Sequence, residues 1–199
     1  MQTAILHLKA ADPILATIIE RVGECKISYR EPVFATLVRA IIFQQLNGKA
    51  ALTIFNRLLE AAGGELTPDS VLKLRAATLR KAGLSRQKIS YIHDLARRTQ
   101  AGELDFAALP ALSEKEIIER LTKVKGIGVW SAHMFLIFAL RRENVLPVGD
   151  YGVRAAIQRA YNKRKLPSPR QMEKIARPWH PHCSVAAWYL WRSLDTKTP

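Results

Sequence analysis

The run Leu146-Pro-Val-Gly-Asp150-Tyr-Gly-Val-Arg154 presents one carboxylate where a loop enters a helix. A fixed carboxylate there can stabilise a cation that develops as a bond breaks, or take a proton from an attacking water. The helix dipole and the free amides of a helix start favour negative charge at such a place. A plain N-cap aspartate is the commoner use of the same position, and the residue alone does not decide between the two. Upstream, Leu121-Thr-Lys-Val-Lys-Gly-Ile-Gly-Val-Trp-Ser-Ala132 sets Gly126 and Gly128 in a tight connection flanked by Lys123 and Lys125. Both glycines permit positive φ and close backbone approach. The amides around Ile127 and Gly128 are expected to face outward from a helix start, which suits an anion. Short glycine runs also serve as ordinary turns.

Other candidate chemistry is weaker. His180-Pro-His182-Cys183 has metal-ligand residue types, but zinc needs three or four ligands and no second cluster lies nearby in sequence. No metal is therefore expected. Trp188 and Trp191 share a helical face, and Trp188 is read as core. The clusters Arg97-Arg98, Arg141-Arg142 and Lys163-Arg-Lys165 read as solvated faces, some of them facing a polyanion.

These residues must be positioned by helices. Apolar residues recur at helical spacing almost throughout, and strand signatures are nearly absent, so the fold class is all-α. Asp12-Pro13 opens a helix with apolar face Ile14, Ile18, Ile19 and Val22, and Pro32 starts a second through Val33, Leu37, Ala40 and Ile41. Gln44-Gln45-Leu46-Asn47-Gly48 interrupts it before a helix through Leu52, Phe55, Leu58 and Leu59. A long helix fits Arg86 to Ala101. Ser113-Glu114-Lys115-Glu116 is a capping box, after which helices flank the glycine turn over about 113–141. Asp150, Ser168-Pro169 and Cys183 head the remaining helices.

Composition narrows the partner. The chain has 199 residues, 48% hydrophobic and 24% charged, which is globular and fits a single domain or two closely packed lobes. Lys and Arg number 31 against 17 Asp and Glu, a net +14, which favours nucleic acid or an anionic membrane surface. The basic residues are dispersed, unlike those of a membrane-surface helix, and the strongest apolar run, Met134 to Leu140, is stopped by Arg141-Arg142. No membrane partner and no signal peptide are expected. Two cysteines, Cys25 and Cys183, exclude a disulfide framework and a four-cysteine iron–sulfur cluster within the chain, and point to a reducing compartment.

With the glycine turn upstream, Asp150 resembles the aspartate of the helix-hairpin-helix DNA glycosylase superfamily. The segments Leu37-Val-Arg-Ala-Ile-Ile-Phe-Gln-Gln-Leu46, Lys125-Gly-Ile-Gly-Val-Trp-Ser-Ala132 and Trp179-His-Pro-His-Cys-Ser-Val-Ala-Ala-Trp-Tyr-Leu-Trp191 are similar to its alkylated-base branch, the DNA-3-methyladenine glycosylase II family. The resemblance covers roughly residues 12 to 194. It implies a compact, two-lobed helical fold without the N-terminal β-domain of larger relatives. It also implies a monomer that excises alkylated purines from damaged double-stranded DNA in the cytoplasm or nucleoid.

The resemblance assigns residues as follows. Asp150 is the catalytic carboxylate. Trp130, Trp191, Phe43 and Met134 line the base pocket, with Met134 standing where some bacterial relatives have tyrosine. Lys123, Lys125, Gly126, Ile127 and Gly128 form the DNA-binding hairpin. Gln45 or Leu46 is the wedge that fills the vacated stack, the alternative being a turn with Leu46 buried, and Lys49 contacts phosphate. In bifunctional members a lysine occupies the Trp130 position and attacks the sugar, so Trp130 implies a monofunctional enzyme leaving an intact abasic site. No cofactor is implied, beyond a monovalent cation on the hairpin backbone. Expected bases are 3-methyladenine and 7-methylguanine, with ethenoadenine and hypoxanthine as more demanding neutral leaving groups. The competing readings are a glycosylase for other damaged bases and a non-catalytic helix-hairpin-helix DNA-binding module.

Overall fold

The computed structural model describes residues 1–195, which among them hold twelve α-helices, two short 3-10 turns and no strand. The chain divides into two compact units, residues 30–135 and residues 1–29 with 136 onward.

The unit of residues 30–135 contains α3 (Phe34–Phe43), α4 (Gly48–Ala61), α5 (Pro68–Lys73), α6 (Ala76–Lys81), α7 (Arg86–Gln100), α8 (Glu114–Leu121) and the start of α9 (Val129–Phe138). Local signals set most starts. Thr67 and Ser113 close capping boxes with Ser70 and Glu116, and Asn47 and Ser85 cap the amides of Ala50 and Lys88. α7 packs against α3, α5 and α6, burying Ile89, Ile92, Leu95 and Ala96 among Leu37, Ile41, Val71 and Leu79. It is the central helix of this unit.

The other unit contains α1 (Gln2–Ala11), α2 (Pro13–Val22), α10 (Tyr151–Ala160), α11 (Pro169–Ala176) and α12 (Cys183–Asp195). α12 is buried continuously from Cys183 to Leu190, with α2 and α10 packed on it. Trp188 lies in this core, 8% exposed, as its sequence position suggests. Asp12 caps α2 through the amides of Ile14 and Leu15, and its other oxygen receives Tyr161 Oη at 2.5 Å and Trp179 Nε1 at 2.8 Å. Burial and the adjacent carboxylate push the Tyr161 hydroxyl far above the usual phenol range. Trp179 itself is fully buried, so Asp12 satisfies donors that water cannot reach.

Several sequence expectations need correction. α1 was not anticipated, because only Ala4 and Leu8 of its ten residues are buried and the apolar stripe is thin. Ile14 is exposed and Leu15 takes its place, since 15, 18, 19 and 22 follow the i, i+3, i+4, i+7 spacing of one helical face and 14 falls outside it. On α4, Ala51 is buried while Leu52 is 47% exposed. α3 begins at Phe34 after the extended Val33, not at Pro32. α9 ends at Phe138 rather than near Arg141, where φ of +55° turns the chain back and the Arg142 amide donates to Leu136. No helix among the described residues is long and apolar enough to cross a membrane.

Candidate active site

Asp150 is the N-cap of α10 and is 7% exposed. Its Oδ1 accepts the Val153 amide at 2.7 Å and the Trp191 indole N–H at 2.8 Å. Two donors on one oxygen fix the carboxylate's orientation, and bonds to a charged acceptor are the stronger kind. Asp150 therefore caps a helix, as the commoner reading of its position expects, and its carboxylate is also held by a second, distant residue.

The sequence provides room for that contact. A Cβ at Gly152 would sit 3.0 Å from Trp191 Cδ1 and 3.2 Å from Asp150 Oδ1, so glycine lets the indole close on the carboxylate. On its other side, Trp191 meets Phe138 with ring centroids 5.7 Å apart. The segment leading to Asp150 is tied to α12 as well. Ser184 Oγ donates to the Arg142 carbonyl at 2.6 Å and accepts the Val145 amide at 3.0 Å, while the Ser184 amide donates to the Glu143 carbonyl. One buried helix therefore anchors the approach to Asp150 near its start and aims the carboxylate from near its end.

In the unit of residues 30–135, the connection from Thr122 to Gly128 joins α8 to α9. Gly126 has φ of +79°, and the Tyr91 ring occupies the space a side chain there would need. Gly128 differs from expectation. Its φ lies outside the left-handed region and nothing stands within 4 Å of an added Cβ, so its contribution is clearance rather than a special conformation. Ile127 also departs from expectation: its amide turns inward to the Val124 carbonyl at 3.1 Å and its side chain is buried. It pins the turn to the core instead of offering an outward donor. Lys123 and Lys125 are exposed, as a phosphate contact requires.

Trp130 is 47% exposed in the first turn of α9, with Met134 half-buried one turn further along the same face. Phe43 is half-buried at the end of α3, and the Arg39 guanidinium lies 3.6 Å over its ring. Burial pushes the Arg39 guanidinium below its usual range, and nearby Arg30 adds to that. Between α3 and α4, Gln45 has φ of +56° and is exposed, and Leu46 is 40% exposed rather than packed inside a turn. Lys49 is exposed in the first turn of α4.

Sequence reasoning missed a second tier of residues. Asp94 Oδ2 accepts the Lys125 amide at 2.9 Å and Arg98 Nε at 3.1 Å. Burial raises the Asp94 carboxyl, but the Lys125 amide and Arg98 outweigh it and hold the group below the usual carboxylate range. Arg98 also pairs with Glu103, so it is engaged by carboxylates rather than being part of a solvated basic face. Gln44 and Lys88 bond across the same region. Gly152, Ser184 and Gln44 stand inside segments read for other residues, and for Lys88, Asp94 and Arg98 only the helical spacing of 88, 91, 94 and 98 along α7 could have hinted at a role. Among the described residues no group of three or more His, Cys, Asp and Glu side chains could hold a metal ion; His182 instead stacks edge-on to His7.

Comparison with known proteins gives a consistent result. Residues 38–181 match the family described as HhH-GPD superfamily base excision DNA repair protein. DNA-3-methyladenine glycosylase 1 of Schizosaccharomyces pombe is 33% identical over 197 residues, covering 96% of this chain and 86% of the relative. A crystal structure of DNA-3-methyladenine glycosidase from Bacillus halodurans superposes with a TM-score of 0.87 at 35% identity, over 97% of this chain and 89% of that one. The Schizosaccharomyces pombe 3-methyladenine DNA glycosylase in complex with abasic DNA gives a TM-score of 0.84 at 32% identity, over 98% of this chain and 97% of that one.

Proposed function

The chain belongs to the HhH-GPD superfamily of base excision DNA repair proteins, and from that premise we propose that it is a monofunctional DNA glycosylase that hydrolytically excises alkylated purines from damaged duplex DNA. The observation that carries the reading is the Asp150 carboxylate, buried and aimed by two donors, one of them the indole of Trp191.

The chemistry follows from the charge balance. In 3-methyladenine or 7-methylguanine the base is already cationic, so the N-glycosidic bond can break with its electron pair passing to the base and no proton supplied. The sugar is left with oxocarbenium character, which the Asp150 carboxylate stabilises electrostatically in a water-poor setting. Water then bonds to the sugar carbon and gives up a proton, for which Asp150 is the acceptor. Trp130 carries no amine, so it forms no covalent bond to the sugar, and the product is an intact abasic site. The exposed indole face of Trp130 and the ring of Phe43 would favour a cationic base over a neutral one by stacking and cation–π attraction. Met134 supplies a polarisable, adaptable wall.

Binding is the work of the turn and the loop. Lys123, Lys125 and the cleared backbone at Gly128 would take a phosphate without reading sequence, while Gln45 or Leu46 fills the gap left by the extruded nucleotide. A single chain holds all these parts. A monovalent cation at the turn would rest on backbone carbonyls, of which those of Val124 and Gly126 already accept the Ile127 amide and Gln44 Nε2. When bound, the ion would add positive charge against a phosphate oxygen, and no step of excision runs through it.

The reading is tested by incubating the purified chain with alkylated and untreated duplex DNA and separating the released bases. Free 3-methyladenine and 7-methylguanine from the alkylated duplex alone is the expected result. Tight duplex binding with no base released from either would overturn it in favour of a non-catalytic DNA-binding module.

A further inference from the structure

The polar face of α7 makes contacts that the core does not need. Ile89, Ile92, Leu95 and Ala96 face the core. Lys88, Tyr91, Asp94 and Arg98, all half-buried, form a stripe along the edge of that core face. Lys88 Nζ donates to the carbonyls of Ile42 at 2.7 Å and Gln44 at 2.8 Å, gripping the end of α3 and the start of the loop that carries Gln45 and Leu46. Gln44 in turn donates from Nε2 to the Gly126 carbonyl at 2.8 Å. The Tyr91 ring covers Gly126, and its hydroxyl accepts from Gln87 at 2.5 Å. Asp94 takes the amide of Lys125.

The Gly126 carbonyl and the Lys125 amide lie near solvent, where water would satisfy them, while the Ile42 and Gln44 carbonyls are part-buried. Side chains satisfy them instead, Lys88 and Asp94 from α7 and Gln44 from the end of α3, at a cost in rotamer freedom. What that ordering gains is geometry. The loop and the turn, 82 positions apart at the Gln44–Gly126 bond, are held by one rigid rod.

We propose that Lys88, Tyr91 and Asp94, with Gln44, are positioning residues for excision: they hold the wedge loop at a fixed separation from the phosphate-binding turn, so that gripping the backbone delivers the wedge into the stack at the extruded nucleotide. This rests on the glycosylase reading above. Base extrusion needs two contacts on the duplex at a set spacing, and a loop free to drift by an ångström would lose much of the advantage of being tethered. None of these residues touches the reacting atoms.

The test compares Lys88→Met and Asp94→Ala with the conservative Lys88→Arg and Asp94→Asn in the full chain. Three quantities are read: affinity for undamaged duplex, fluorescence of 2-aminopurine placed beside the lesion as a signal of wedge insertion, and the single-turnover rate of alkylated-base release. Lys88→Met and Asp94→Ala are expected to slow the fluorescence change and the release together, by about tenfold or more, with duplex affinity held near that of the wild type. Lys88→Arg, which can still reach both carbonyls, restores both. Wild-type rates in Lys88→Met, or losses that track duplex affinity and melting temperature with no rescue by Lys88→Arg, would overturn the proposal. The two readings fail separately. A wild-type chain that distorts the duplex but releases no base removes the glycosylase reading and leaves the fluorescence comparison to judge the positioning; one that does neither removes both.

Discussion

The indole N–H of Trp191 gives Asp150 its second donor, and it comes from 41 positions away. Hydrogen bonds to charged groups contribute about 1.5–3 kcal/mol, so losing one that aims a reacting carboxylate translates to roughly ten- to hundredfold in rate. Trp191→Phe keeps an aromatic face but removes the donor. Its single-turnover release of 3-methyladenine is expected to fall by about that factor while the melting temperature barely moves, since Trp191 is only half-buried. An unchanged rate would mean that the indole N–H is not what aims the carboxylate. Asp150 was legible in the sequence because a capping carboxylate after a proline–glycine loop has a local signature. The partner that aims it has none: the segment around Trp191 resembles a family pocket, but nothing in it marks the indole as a donor to Asp150, and the space at Gly152 matters only once the two helices meet.

At the scale of elements, the glycine turn separates two requirements that the sequence merged. Gly126 needs its left-handed φ and the absence of a side chain under Tyr91; Gly128 needs only open space. Gly126→Ala should therefore destabilise the fold, with about 1–3 kcal/mol from the backbone strain alone, read as a lower melting temperature. Gly128→Ala should leave melting unchanged and weaken duplex binding, because a methyl group then stands where a phosphate would approach. Equal melting in both variants would contradict this division. Helix starts such as Asp12-Pro13, Ser113 with Glu116, and Ser168-Pro169 were legible because capping is a contract among neighbours in sequence. The bonds from α7 to the Gln44 loop and the Lys125–Gly126 turn were not, because they exist only through tertiary packing. α1 escaped for the opposite reason, a stripe of buried residues too thin to mark a helix.

For the molecule as a whole, charge pointed to the partner and packing to the class. A net +14 on an all-helical chain of 199 residues was enough to favour a polyanion, while the jointly matching segments around Gln45, Gly126, Asp150 and Trp191 narrowed it to a base-excision family. Stability of the unit that carries Asp150 depends on a buried polar knot around Asp12, the cap of α2. Asp12 receives Ile14, Leu15, Tyr161 and Trp179, and Asp12→Ala strands the last two inside the core. Its loss should cost about 3 kcal/mol in chemical denaturation, and a change below about 1 kcal/mol would show that water replaces the carboxylate. Whether Asp150 acts on the sugar once the base is extruded is read from single-turnover release of 3-methyladenine by wild type and Asp150→Asn. The amide in the variant can still accept the Val153 and Trp191 donors, so the cap and the fold should persist while the negative charge is gone. We expect release to drop by about a hundredfold or more at unchanged affinity for the duplex, with strand breaks in the wild-type product appearing only after hot alkali. Release by Asp150→Asn at the wild-type rate, or breaks without alkali, would contradict the account.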